Sequence, residues 1–97
     1  MIVLIQSGNA VVDTDKIDKV TTNKEGGIYA TCGASRETLA KYDNLNIAKF
    51  VLKMYAFDFA ENEQFFEFPK NSEVMEIMQQ HKTRTLQKLK GNSHGGS

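Results

Sequence analysis

One cysteine, one proline and no net charge already exclude several kinds of protein for this 97-residue chain. A lone Cys32 cannot close an intramolecular disulfide, so the small secreted domain held by paired bridges is excluded, and a reduced thiol in the cytoplasm is expected. Twelve Lys and Arg against twelve Asp and Glu exclude both a uniformly basic nucleic-acid wrapper and a polyacidic tail. Long apolar runs are also missing. The richest stretch, residues 45–60, is interrupted by Asn46, Lys49, Lys53 and Asp58, short of the roughly 20 apolar residues that a membrane span needs. The opening Met-Ile-Val-Leu-Ile is too short for a signal-peptide core and lacks the basic residues that precede one.

What is present is ordinary globular material, 40% hydrophobic and 25% charged. Residues 1–90 are expected to form one domain with a single modest core, and the Gly- and Ser-containing residues 91–97 a flexible tail. The first 42 residues read as an antiparallel meander of about five strands. Ile2 to Ile5 begins it, Ser7-Gly8-Asn9 turns the chain, and Ala10-Val11-Val12 returns. Ile17 to Thr22 follows, then the Gly26-Gly27 turn, the strand Ile28–Cys32, the turn at Gly33 and a last strand, Glu37–Tyr42.

Asp43-Asn44 offers an N-cap to a helix over 45–60, in which Asn46, Lys49 and Lys53 are the only coherent polar strip. More apolar surface is left than one sheet face covers, so a second helix or a second protomer is expected against it. Phe65–Phe68 reads as a short late strand ended by Pro69, after which Asn71 or Ser72 caps a second helix that ends basic. The expected fold is therefore α+β, an antiparallel meander with a short late strand, packed by two C-terminal helices.

No nucleophile, base and oxyanion set has a local signature here, and a non-catalytic protein without metal or cofactor is expected. Cys32 reads as a small core thiol, since no neighbour supplies a base. His81 is mid-helix and His94 lies in the tail. Asp13, Asp15 and Asp18 open like a calcium loop, but Asp18 occupies the glycine position and Lys24 the position of the closing Glu, which favours a solvated acidic turn. Phe57, Phe59, Phe65, Phe66 and Phe68 read mainly as core, with strand alternation leaving Phe65 on the opposite side from Phe66.

The charge distribution is uneven. Residues 1–69 hold seven basic and ten acidic side chains, net −3, and residues 70–97 hold five and two, net +3. Arg36 and Arg84 are the only arginines and the best phosphate clamps available. Lys82, Arg84, Lys88 and Lys90 read either as a phosphate-binding end of the second helix or as a solvated end that complements its dipole. Candidate ligand-binding residues are thus Arg36, Phe65, Lys82, Arg84 and Lys88, and candidate interface residues Phe50, Met54, Phe57 and Met78.

From Leu39-Ala40-Lys41-Tyr42 through Ala48-Lys49-Phe50-Val51-Leu52 to Phe66-Glu67-Phe68-Pro69, the chain resembles a recurrent class of small proteins from Gram-positive bacteria and their phages. The long second helix brings it closer to small phage anti-defence proteins that sequester cyclic nucleotide signals between protomers. That resemblance implies a homo-oligomeric, cytoplasmic phage or mobile-element protein that sequesters a nucleotide-derived immune signal, acting in the host-cell cytoplasm if phage-encoded. The alternative is an inhibitor or adaptor that blocks a host defence protein by direct contact. Neither a membrane nor a sequence-specific nucleic acid is expected as a partner.

Overall fold

Turn chemistry sets the strand order. The computed structural model describes residues 1–80 and gives an α+β fold with two small sheets and two helices. Strands β1 (Ile2–Leu4) and β2 (Val11–Asp13) pair antiparallel across a turn in which Gly8 has φ +76°. Asp13 then caps a single 3-10 turn, Thr14–Lys16, by accepting the Asp15 N–H at 3.0 Å. The chain leaves the plane of the first sheet there, and β3 (Lys19–Thr22) starts a new one. β3, β4 (Gly27–Cys32) and β5 (Ser35–Lys41) form an antiparallel sheet in sequence order. The late strand β6 (Phe65–Glu67) lies parallel to β1 on the side away from β2.

The continuous five-stranded meander is therefore corrected to two three-stranded sheets, one of them mixed. The capped turn after β2 prevents β2 and β3 from pairing. The two sheets are joined through Gln6, just past β1. Its N–H donates to the Leu39 carbonyl at 2.8 Å, and its side-chain oxygen accepts the Lys41 N–H at 2.9 Å.

β5 carries a bulge. Tyr29 opposes Thr38 and Ile28 opposes Ala40, so Leu39 has no partner across the strand. Strict alternation would send Leu39 and Ala40 to opposite faces; the bulge lets both be buried and keeps Tyr42 in phase with them.

Helix α1 (Leu45–Ala60) begins at Asn44, whose Oδ1 accepts the Ile47 N–H at 3.0 Å. It buries Ile47, Ala48, Val51 and Tyr55 against Val3, Ile28, Ala30 and Phe66. Tyr55, Phe66 and Phe68 form an aromatic cluster, with Phe66 and Phe68 edge to face at 5.0 Å. Helix α2 occupies residues 71–80 of the described chain. Its cap is Lys70, not Asn71 or Ser72: the Lys70 carbonyl accepts the Val74 N–H, and its N–H donates to Glu73 Oε1 at 3.2 Å, the return half of a capping box. Asn71 is used elsewhere. Its Oδ1 accepts the Asp43 N–H and its Nδ2 donates to Asp43 Oδ2, both at 2.9 Å, which fastens α2 to the loop before α1.

Candidate functional site

Where the two sheets diverge, a groove of about 450 Å³ opens between β2 and the far end of the β4–β5 hairpin. Ile2, Val11, Val12, Ile17 and Ala30 give it an apolar floor, and Asp13, Lys16, Arg36 and Glu37 give it two charges of each sign. Cys32 and Ser35 complete the wall. Cys32 is exposed there, which corrects the core-thiol expectation: it is the last residue of β4, beyond the reach of the helices.

Strand register decides what borders the groove. Ile2 opposes Asp13 on one side and Phe65 on the other, and Leu4 likewise opposes Val11 and Glu67. These six residues share the outward face of the first sheet, while Val3 and Phe66 fill the core behind. Ile2 is 40% exposed, Val11 60% and Phe65 52%, so three large apolar side chains stand in solvent on a single face. Ile2 and Val11 also line the groove, which makes the groove and the apolar face one continuous surface.

A second groove of about 400 Å³ runs between β3 and α1, lined by Val20, Leu52, Tyr55, Phe59, Asp18 and Lys19. Ile17 stands between the two grooves and borders both. Burial raises the pKa of the Tyr55 phenol beside it.

Of the residues expected to bind ligand, Arg36 and Phe65 are described, and the structure does not bring the Arg36 guanidinium and the Phe65 ring together. Arg36 belongs to the groove wall, yet its guanidinium carbon sits 4.2 Å over the ring of Tyr29, on the other face of the β3–β4–β5 sheet. Phe65 joins Ile2 on the outward face of the first sheet. Lys82, Arg84 and Lys88 lie outside the described residues, as do His81, Lys90 and the tail. Among the interface candidates, Phe50, Met54 and Met78 pack partly against the chain's own core, and Phe57 is 65% exposed.

Two carboxylates of the acidic cluster, those of Asp13 and Asp18, are taken up by local hydrogen bonds. Asp13 caps the 3-10 turn, and Asp18 Oδ2 accepts the Gly33 N–H at 2.7 Å. Among the described residues, no group of three or more His, Cys, Asp and Glu is placed to hold a metal ion. No helix among them is long and apolar enough to cross a membrane.

The residue that sequence reasoning passed over is Tyr29. A hairpin turn at Gly33 places Arg36 opposite Thr31, one diagonal step from Tyr29, and that register was the available signal. No family model, curated protein or solved structure matches the chain.

Proposed function

We propose that this chain is a non-catalytic binding protein of a phage or mobile element, which sequesters a nucleotide-derived immune signal at a protomer interface. One observation carries the reading: Ile2 and Val11 belong both to the exposed apolar face of the first sheet and to the groove of about 450 Å³. Two protomers meeting on that face would bury Ile2, Val11 and Phe65 and roof the groove. Its volume falls within the range of small-molecule sites, roughly 300–1,000 Å³. The apolar floor suits a base, and Lys16 offers a phosphate a cation whose side chain, unlike that of Arg36, is not held on the Tyr29 ring. Light scattering coupled to size exclusion, with titration against cyclic dinucleotides, cyclic oligonucleotides and cyclic ADP-ribose isomers, tests both halves. A dimer that binds one of these ligands is expected, and Ile2→Asp with Phe65→Asp should abolish dimer and binding together. A wild-type monomer that binds none of the panel refutes the reading.

The second reading is an inhibitor or adaptor that blocks a host defence protein by direct contact. The observation favouring it is that Asp13 and Glu37 balance Lys16 and Arg36 around the groove, a charge pattern that suits a mixed-charge protein segment as well as an anion. A stoichiometric complex with one purified defence protein, lost on Phe65→Asp and indifferent to nucleotides, would select it.

A further inference from the structure

The β3–β4–β5 sheet has a second face, turned away from α1, and its composition differs from the rest of the molecule. Register places its side chains in three rows across the strands. Lys19, Thr31 and Arg36 form the first, Thr21, Tyr29 and Thr38 the second, and Asn23, Gly27 and Lys41 the third. Val20, Ala30, Ile28 and Ala40 take the opposite face, toward the core. The outer rows contain three cations, three threonine hydroxyls, one aromatic ring and no carboxylate, in a chain whose formal charge is zero. Acidic residues flank the face: Glu25 lies in the β3–β4 turn, Asp18 is engaged by the Gly33 N–H, and Glu37 on β5 takes the opposite face with Ala30.

The centre of this face is held in place. Asn23 Nδ2 donates to the Tyr29 hydroxyl at 2.7 Å, while Asn23 Oδ1 accepts the Glu25 and Gly27 N–H groups at 3.2 and 2.8 Å. The ring reaches along the strand over Gly27, where a Cβ would fall 2.5 Å from the Tyr29 hydroxyl. Glycine is therefore what gives the phenol its place. The Arg36 guanidinium then sits 4.2 Å over the ring, a planar cation supported from below. Strand spacing and rise make the area bounded by the three rows about 10 Å wide and about 13 Å long.

We propose that this face binds single-stranded nucleic acid without sequence preference. A guanidinium plane braced on an aromatic ring is a stacking surface that every base satisfies. Lys19, Arg36 and Lys41 stand at the rim, where backbone phosphates pass, and the Thr21 and Thr38 hydroxyls between them donate to phosphate or sugar oxygens. Charge complementarity selects the occupant, because a cationic, hydroxyl-rich and nearly flat surface offers a partner protein no apolar anchor. The deep major groove of a duplex likewise has nothing here to enter it. The proposal does not depend on the sequestration reading, which concerns the outward face of the first sheet and the groove between the sheets; Arg36 borders both places, whereas Lys19 and Lys41 belong to this face alone.

Fluorescence anisotropy of the full chain with a labelled oligothymidylate of about a dozen residues tests it. Three phosphate contacts predict a slope of log K against log salt near −2, so affinity falls about twentyfold between about 50 and 200 mM salt. Arg36→Ala should weaken binding at least about fivefold, the lower end of a lost stacking contact. Arg36→Lys should weaken it while leaving the slope unchanged, since the charge stays and the plane is lost. Lys19→Gln and Lys41→Gln, both exposed and safe for folding, should each reduce the magnitude of the slope by about 0.7. Lys49→Gln on α1 should change nothing. No binding at about 100 μM protein in about 50 mM salt would overturn the proposal. So would binding that survives all four substitutions on this face, or a duplex that binds as tightly as the single strand.

Discussion

The Tyr42 hydroxyl donates to the Pro69 carbonyl at 2.7 Å, and the Gln6 side-chain amide donates to the same oxygen at 3.2 Å. Three distant segments meet at this atom: the chain after β1, the end of β5 and the turn between β6 and α2. Pro69 has no N–H of its own to give, so its carbonyl is its one backbone hydrogen-bonding group, and both partners converge on it. Gln6 also fastens β1 to β5, which makes this corner the junction of the two sheets.

Tyr42→Phe should therefore cost about 1 to 2 kcal/mol of stability, the usual loss when one buried hydrogen bond is removed. It also has a pH signature. Burial, reinforced by the nearby Glu73 carboxylate, raises the Tyr42 pKa well above its ordinary value of 10.0. The unfolded chain thus releases the phenolic proton first. Above pH 10 the unfolded state binds fewer protons than the native state, so stability falls as pH rises and is unaffected below. Urea midpoints measured from pH 8 to 11.5 should decline for the wild type over the alkaline part of that range, and less steeply for Tyr42→Phe. Identical alkaline slopes would show that the Tyr42 phenol ionises alike in both states.

Two glycines with positive φ separate strain from collision. Gly8 has φ +76° and open space where a methyl group would stand, so Gly8→Ala should cost only the left-handed conformational penalty, about 1 kcal/mol. Gly26 has φ +92°, and its Cβ would fall 2.5 Å from the Tyr42 carbonyl oxygen and 2.8 Å from that of Asn44. Backbone must shift to admit it, and Gly26→Ala should cost at least about 3 kcal/mol. Thermal unfolding of the two variants should rank them in that order by a wide margin.

Local chemistry was legible in the sequence, and long-range pairing was not. The turns at Gly8, Gly26 and Gly33 and the cap at Asn44 each depend on a few adjacent residues, and each is found where the sequence places it. The pairing of β6 with β1 joins residues more than sixty positions apart and involves three-residue strands, whose period cannot specify a neighbour. The split into two sheets turns on Asp13 using its side chain as a cap, a role that its place in an acidic cluster obscured. At the candidate site, Arg36 was legible as a planar cation, but its support by Tyr29 required the β4–β5 register. The exposure of Cys32 followed from its place at the end of a strand rather than from its residue type.

The start of α1 rests on one side chain. Asn44 Oδ1 accepts the Ile47 N–H at 3.0 Å, and no acidic residue in the first turn assists it. Asn44→Ala should cost about 1 kcal/mol, whereas Asn44→Asp should be neutral or stabilising, because a carboxylate caps as well and adds a charge favourable to the helix N-terminus. Equal losses for both would show that the side-chain oxygen is not what stabilises the start of α1. Denaturant unfolding at neutral pH checks the pair.

Two phenylalanines eleven residues apart should respond oppositely to truncation. Phe68 is 2% exposed and packs against Phe66 and Tyr55, so Phe68→Ala removes a ring and leaves a cavity between α1 and β6. A loss of about 3 to 5 kcal/mol is expected, a large share of the roughly 5 to 15 kcal/mol that stabilises a domain of this size. Phe57 stands mostly in solvent on α1, and Phe57→Ser should change stability by no more than about 0.5 kcal/mol. Because the exposed ring gives up apolar surface to water, the same substitution should also raise solubility if Phe57 takes no part in a contact between protomers. Should it instead dissociate a dimer seen for the wild type, the C-terminal part of α1 belongs to the interface, and the outward face of the first sheet does not account for self-association alone. Circular dichroism for Phe68→Ala and light scattering for Phe57→Ser make the two measurements.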